Sequence, residues 1–309
     1  MKKIIAVLLI PTIVTVMTPL AAACSTFGTK MTNEEGYVYV DKTRYDYNEY
    51  DYIVGIREAS QQGIIPMNLS NEEFEVITSD AIETELLHRA SLPVEVLQSG
   101  YGYSDEAIRI LKEYDGKPVE DSPELRTVMA SFYGALGETV CTSTRIGVIY
   151  TWEWSNKPLW LHKDGVTLSW EGTYEDGLSN NMRFDIHSSY ARINYICDSV
   201  EGAEQEKTVT LDSTEYFSSD AYTNGVALQF AASEVFSPLK YWAKSGSVFV
   251  YADLVNQESG PALYELDVRG EYVHATTDDN WSASFPWGLS VSLSGEVETF
   301  GEKHLTLSP

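Results

Sequence analysis

Histidine and cysteine are scarce in this chain, and basic residues are outnumbered by acidic ones. The five histidines, His88, His162, His187, His274 and His304, include no pair three or four residues apart and no HExxH, so zinc-site spacing is missing. No GxSxG elbow, Gly-rich phosphate loop or dinucleotide fingerprint occurs, and no cofactor is expected. The 46 acidic residues against 21 basic ones give a formal charge of -25. Such a surface repels phosphate backbones and argues against nucleic acid as a partner. No stretch has the oxygen-ligand spacing of a calcium loop. So many carboxylates also make any single pair uninformative about glycoside hydrolysis. Beyond the first twenty residues no apolar run is long enough to cross a bilayer.

What is present begins with a leader. Lys2 and Lys3 precede an apolar centre over Ile4 to Ile10 and a weaker apolar stretch ending in AAACSTF, which predicts a signal peptide over 1–23. Pro11 and Pro19 interrupt the run, and no basic stop-transfer cluster follows it, as a retained membrane helix would require. The expected location is therefore secreted, or anchored to the outer face of the cytoplasmic membrane. Cys24 has three readings: an unremarkable mature N-terminus, a lipid anchor, or a nucleophile bared by cleavage. Lipidation wants a small or branched apolar residue three before the cysteine, then small residues; Ala21 holds that place and Leu20 lies one further back, an imperfect match. An anchor at Cys24 would be the chain's one membrane contact. Only Cys141 and Cys197 remain, and export would let them form a disulfide. Two buried thiols are the alternative.

Three regions follow. Residues 24–77 are polar and irregular, with six tyrosines in the sixteen residues YVYVDKTRYDYNEYDY, and read as a spacer holding one or two short strands. Residues 78–138 read as a small module of short helices. Asp80 with Glu83 makes a capping-box pair, Pro93 opens a second helix, and Ser104 caps a third that Gly116 ends. Ser122-Pro123 starts a fourth helix through Leu125, Val128, Met129, Phe132 and Leu136. From residue 139 to 309 the apolar period is two: Val148, Tyr150, Trp152 and Trp154; Val166, Leu168 and Trp170; Phe184 and Ile186; Leu266 and Val268; Leu289, Val291 and Leu293. Eight to ten such strands without helical crossovers predict a mainly β chain, an antiparallel β-sandwich preceded by the helical module, with a β-barrel as the alternative.

Seven tryptophans invite a sugar-stacking reading. Trp152, Trp154 and Trp170 share the parity of the buried face and belong to the core. Trp160, Trp242, Trp281 and Trp287 sit in turn-like context and are the candidate ligand-binding aromatics. No catalytic or metal-binding residue is assigned.

Two resemblances add to this. CSTF followed by GYVYVDKTRYDY resembles the opening of the N-terminal-nucleophile cysteine amidases, which implies Cys24 as nucleophile, Asp46 as the nearby carboxylate and Lys42 or Arg44 in the arginine position. The spacing departs by about one residue, and a helical cluster followed by unbroken strands is not the alternating four-layer stack of that superfamily. The leader, ELLHRASLP, GYSDEAIRILKEYDG, the PELR helix and the β-rich remainder together resemble uncharacterised exported proteins of Gram-positive anaerobic bacteria. That resemblance implies no activity. The expectation is an extracellular module that binds a glycan or a protein, with amide hydrolysis through Cys24 as the alternative.

Overall fold

A computed structural model describes residues 42, 44–64, 71–173, 184–200, 202–211, 225–236, 238–255, 262–275, 281–284, 290–293 and 297–309. Within them the chain is mainly β. The largest sheet runs in the order β1 (Tyr47–Asn48), β2 (Ser131–Thr142), β3 (Arg145–Trp154), β9 (Leu239–Leu254), β5 (Phe184–Cys197) and β6 (Glu204–Thr210), with β8 (Ser233–Phe236) pairing the start of β9. The second sheet runs β13 (Val297–Leu307), β10 (Glu265–Ala275), β4 (Lys163–Thr173) and β7 (Gly225–Ala231). A separate hairpin joins β11 (Trp281–Ser284) to β12 (Ser290–Leu293). All these pairings are antiparallel, and both larger sheets have free edges, so the barrel alternative falls.

The sheets close on one aromatic core. Tyr150, Trp152 and Trp154 point inward from β3 and are fully buried, as the two-residue period requires. Across the gap Trp152 stacks on Phe230 at 5.6 Å, and Phe132 meets Tyr272 at 4.5 Å between ring centroids. One bulge explains why residues 184–197 alternate untidily. The register against β9 shifts between Ile186 and Ser188, so the inward set moves from Phe184 to Ser189, Ala191, Ile193, Tyr195 and Cys197. Two apparent strands are thus one.

The spacer expected over 24–77 is corrected at its C-terminal part. Residues Glu49–Gln61 form α1, begun by Asn48, whose side chain accepts from the Tyr50 and Asp51 amides. Ile53 and Ile56 are buried on its inner face, but so are the charged Glu49 and Arg57, and Gly55 lies mid-helix. Charge at inner positions conceals the helical period. Next come α2 (Asn71–Thr78), α3 (Ala81–Ser91), a π-helical turn over Val96–Gly100 and α4 (Asp105–Glu113). The Ser104 hydroxyl accepts from the Ala107 amide, capping α4 as expected, and Gly116 adopts φ +84°. Asp80 makes no side-chain cap. Its expected partner Glu83 turns inward to Arg57 instead.

The fourth expected helix is also corrected. Pro123–Thr127 makes only a short 3-10 turn, and β2 already starts at Ser131. Leu125, Val128 and Met129 pack among the helices, whereas Phe132 enters the sandwich. Two adjoining cores thus mimic one helical stripe. The helical unit has its own apolar cluster and meets the sandwich at a joint, where Trp242 of β9 donates to the Gly100 carbonyl at 2.7 Å. Gly100 admits no side chain, because a Cβ there would lie 2.5 Å from the Asp198 carbonyl oxygen.

Candidate functional site

The connection from β3 to β4, residues 155–162, crosses the joint and is pinned nearly peptide by peptide. The Ser155 amide donates to Ser131 O at 2.8 Å, and the Asn156 side chain donates to Val128 O at 2.8 Å. The Lys157 amide donates to Tyr101 O at 2.8 Å. Arg89 of α3 donates to the Lys157 and Pro158 carbonyls at 2.9 and 3.0 Å. Glu49, the first residue of α1, accepts from the Leu159 amide at 2.6 Å and from the Ala130 amide at 3.1 Å. Burial pushes the Glu49 carboxyl above its ordinary pKa, against the pull of those two amides. A buried acid and a buried base thus shape one loop.

The loop walls a cleft of about 410 Å³, within the roughly 300–1,000 Å³ range of small-molecule sites. Val76 of α2, Ile82 of α3, Leu159, Trp160 and Leu161 supply apolar wall. Glu85, Arg89, Lys157, His162 and Lys240 supply the polar groups. Trp160 is half-buried and packs edge-on against Tyr52 of α1 at 6.4 Å. Arg89 is 3% exposed and also bonds Glu85 at 2.8 Å and the Tyr103 hydroxyl at 2.9 Å. Burial opposes its charge, and these oxygens hold it firmly protonated. Lys157 lies 4.2 Å from the Tyr101 ring centre and 3.4 Å from the Asp198 carboxylate. Burial nevertheless lowers its pKa; Asp198 pulls the other way, while Arg89 and Lys240 reinforce the lowering.

The candidates read from sequence fare differently. Trp160 lies in the cleft. Trp242 does not line an open surface: it is fully buried, because β9 turns it into the joint, which is a correction. Trp281 begins β11, whereas Trp287 and Cys24 fall outside the described residues. The Cys141–Cys197 disulfide is corrected too, since both are free thiols. Cys141 pairs with Ile146 opposite Ala252, whereas Cys197 pairs with Tyr241. Eleven residues of β9 separate those levels, about 35 Å at ~3.3 Å per residue, far beyond the reach of a bridge. Asp46, the carboxylate implied by the amidase resemblance, is bound to Lys303 at 2.5 Å and to the Gly134 amide at 2.7 Å. Lys42 is paired with Glu153 at 2.7 Å. Among the described residues no group of three or more His, Cys, Asp or Glu side chains is arranged to hold a metal, and no helix is long and apolar enough to cross a membrane.

One more polar cluster sits in the inter-sheet core. Asp164 of β4 lies 2.7 Å from His274 Nδ1 and accepts from the Tyr272 hydroxyl at 2.5 Å, with all three residues at most 1% exposed. Sealed between sheets, it ties β4 to β10 and offers no access to a substrate.

No protein-family model matches the chain, and no curated protein matches it. One solved structure that resembles it is that of AvmM, described as catalysing macrocyclization in alchivemycin A biosynthesis. The identity is 8% and the TM-score 0.28, over 58% of this chain and 88% of that one. Similarity that slight carries no argument about fold or activity.

Proposed function

We propose that the protein is an extracellular binding module whose ligand enters the cleft between helices and sandwich. Export rests on the leader reading of residues 1–23, and binding rests on the cleft. The observation that carries it is Trp160: a half-buried aromatic ring held on a pinned loop over a concave, partly apolar wall. Preorganisation of this kind lowers the entropy lost when a ligand docks. A ring in that setting suits the face of a sugar or another flat apolar group. Glycan-array binding and thermal-shift screening of the protein beside its Trp160→Ala variant test the reading. Ligands retained by the wild type and lost by the variant support it. A ligand that binds both equally well would place recognition elsewhere.

A further inference from the structure

Cations gather at this cleft in a chain where acids outnumber bases by 46 to 21. Arg89, Lys157 and Lys240 come from α3, the β3–β4 loop and β9, three segments far apart in sequence. Two acids answer them: Glu85 pairs with Arg89 at 2.8 Å, and Asp198 with Lys157 at 3.4 Å. Lys240 is exposed at the rim and makes no ion pair among the described residues. Its charge is close enough to act on Lys157.

We infer that the ligand of this cleft is a carboxylate-bearing sugar, its carboxylate on Lys240 and its ring face on Trp160. The inference rests on the binding reading above and adds the ligand's charge and class. Three cations against two anions leave one net positive charge, which matches a monoanion and leaves half of a phosphate dianion unanswered. The five donors of Arg89 are largely spent on Glu85, Tyr103 and two loop carbonyls, so a bidentate Arg–phosphate clasp is not on offer. Lysine at the rim presents instead a point charge on a flexible stem. The surrounding acidity makes the local sign change a discriminating feature: polyanions are repelled at a distance, while a small monoanion is held once inside.

Calorimetric titration of the full protein with galacturonate and with galactose tests this, alongside Trp160→Ala and Lys240→Gln variants. Thermal melts first establish that each variant is folded. The expected result is galacturonate binding at least tenfold tighter than galactose, weakened about tenfold by Lys240→Gln and by raised salt, and lost in Trp160→Ala. The galactose affinity should not change in Lys240→Gln. Equal affinity for the two sugars, with both lost in Trp160→Ala, overturns the charge assignment while the cleft reading stands. Inorganic phosphate competing better than acetate overturns the carboxylate assignment. Absence of any Trp160-dependent binding of either sugar overturns the inference, and the ligand-array screen then decides the cleft reading by itself.

Discussion

Replacing Arg57 by Met tests how the helical unit is held together. The Arg57 guanidinium grips Glu83 with both arms, at 2.5 and 3.0 Å, and also reaches Glu120 at 2.7 Å, Ile77 O at 2.7 Å and Ser79 O at 2.9 Å. One side chain of α1 thereby joins α2, α3 and the turn over Val119–Asp121. The Arg57 and Glu83 side chains are only 8% and 10% exposed, so losing one leaves the other charged and nearly buried. Breaking such a pair costs about 3–5 kcal/mol, or roughly 10 °C in melting temperature for a chain of this size. Burial alone would raise the Glu83 pKa, but the bonds from Arg57 and the Val119 amide overcome it and hold the carboxyl below its ordinary value. In the wild type that group stabilises the fold above its unfolded pKa, and the contribution is lost as pH falls through the lower folded value. In Arg57→Met burial is left to dominate and the sign inverts: Glu83 contributes most when protonated, and its contribution is lost as pH rises through the raised value. Denaturant unfolding of both proteins between about pH 4 and pH 8 reads the difference. The deficit should be smallest at the acid end and largest at neutral pH, and Arg57→Met with Glu83→Leu should recover most of it. A deficit below about 1 kcal/mol, or one independent of pH, would refute the reasoning.

Other changes separate the two cores. In Gly270→Ala a Cβ would meet Cδ2 of the fully buried Tyr150 ring at 2.3 Å, an overpacking cost of about 1–3 kcal/mol; an unchanged melting temperature would show that the ring yields freely. Trp242→Phe removes the 2.7 Å bond to the Gly100 carbonyl, leaving a buried acceptor at a cost of about 1–3 kcal/mol; hydrogen exchange should quicken over 96–103, and unchanged protection there would contradict the joint. Burial pushes the Cys141 thiol up to about 11, so alkylation of native protein at pH 8 should be slow at Cys141 and quicken with rising pH. Denatured, unreduced protein should yield both Cys141 and Cys197 as free thiols, and a peptide linking them would refute the strand register.

Where side-chain pattern and backbone period agree, the sequence was legible. The inward parity of Trp152 and Trp170 was readable from their apolar neighbours at two-residue spacing, although β3 turns out to be buried on its other parity as well, through Ile149, Thr151 and Glu153. Legibility failed where polar groups occupy inner positions. The Tyr-rich run looked like tether because Glu49 and Arg57 sit on the buried side of α1, each satisfied by partners 20 to 110 residues away that no local window contains. Glu83 was read as a local cap because the Asp80 spacing permits it, while its real partners lie on α1 and at Val119. A bulge at residue 187 and a change of core near residue 130 each blurred one boundary, since both alter which parity faces inward.

The cleft was hidden for the same reason, at longer range. Glu85 and Arg89 form an i, i+4 pair that alone reads as an ordinary exposed helix contact, Lys157 sits in a turn, and Lys240 begins a strand. None of the four is informative until α3, the β3–β4 loop and β9 meet. Of the tryptophans, which can be ranked by context, only Trp160 falls at that meeting point among the described candidates, and it does so because its loop is tied down by Arg89 and Glu49. Those two residues bury a carboxyl and a guanidinium on either side of one loop, an arrangement costly to assemble for packing alone when apolar side chains of similar volume would serve. What these two polar side chains add over an apolar joint is direction: four backbone groups, the Lys157 and Pro158 carbonyls and the Leu159 and Ala130 amides, are fixed by hydrogen bonds. Glu49 and Arg89 thus hold the β3–β4 loop in place from within the helical unit.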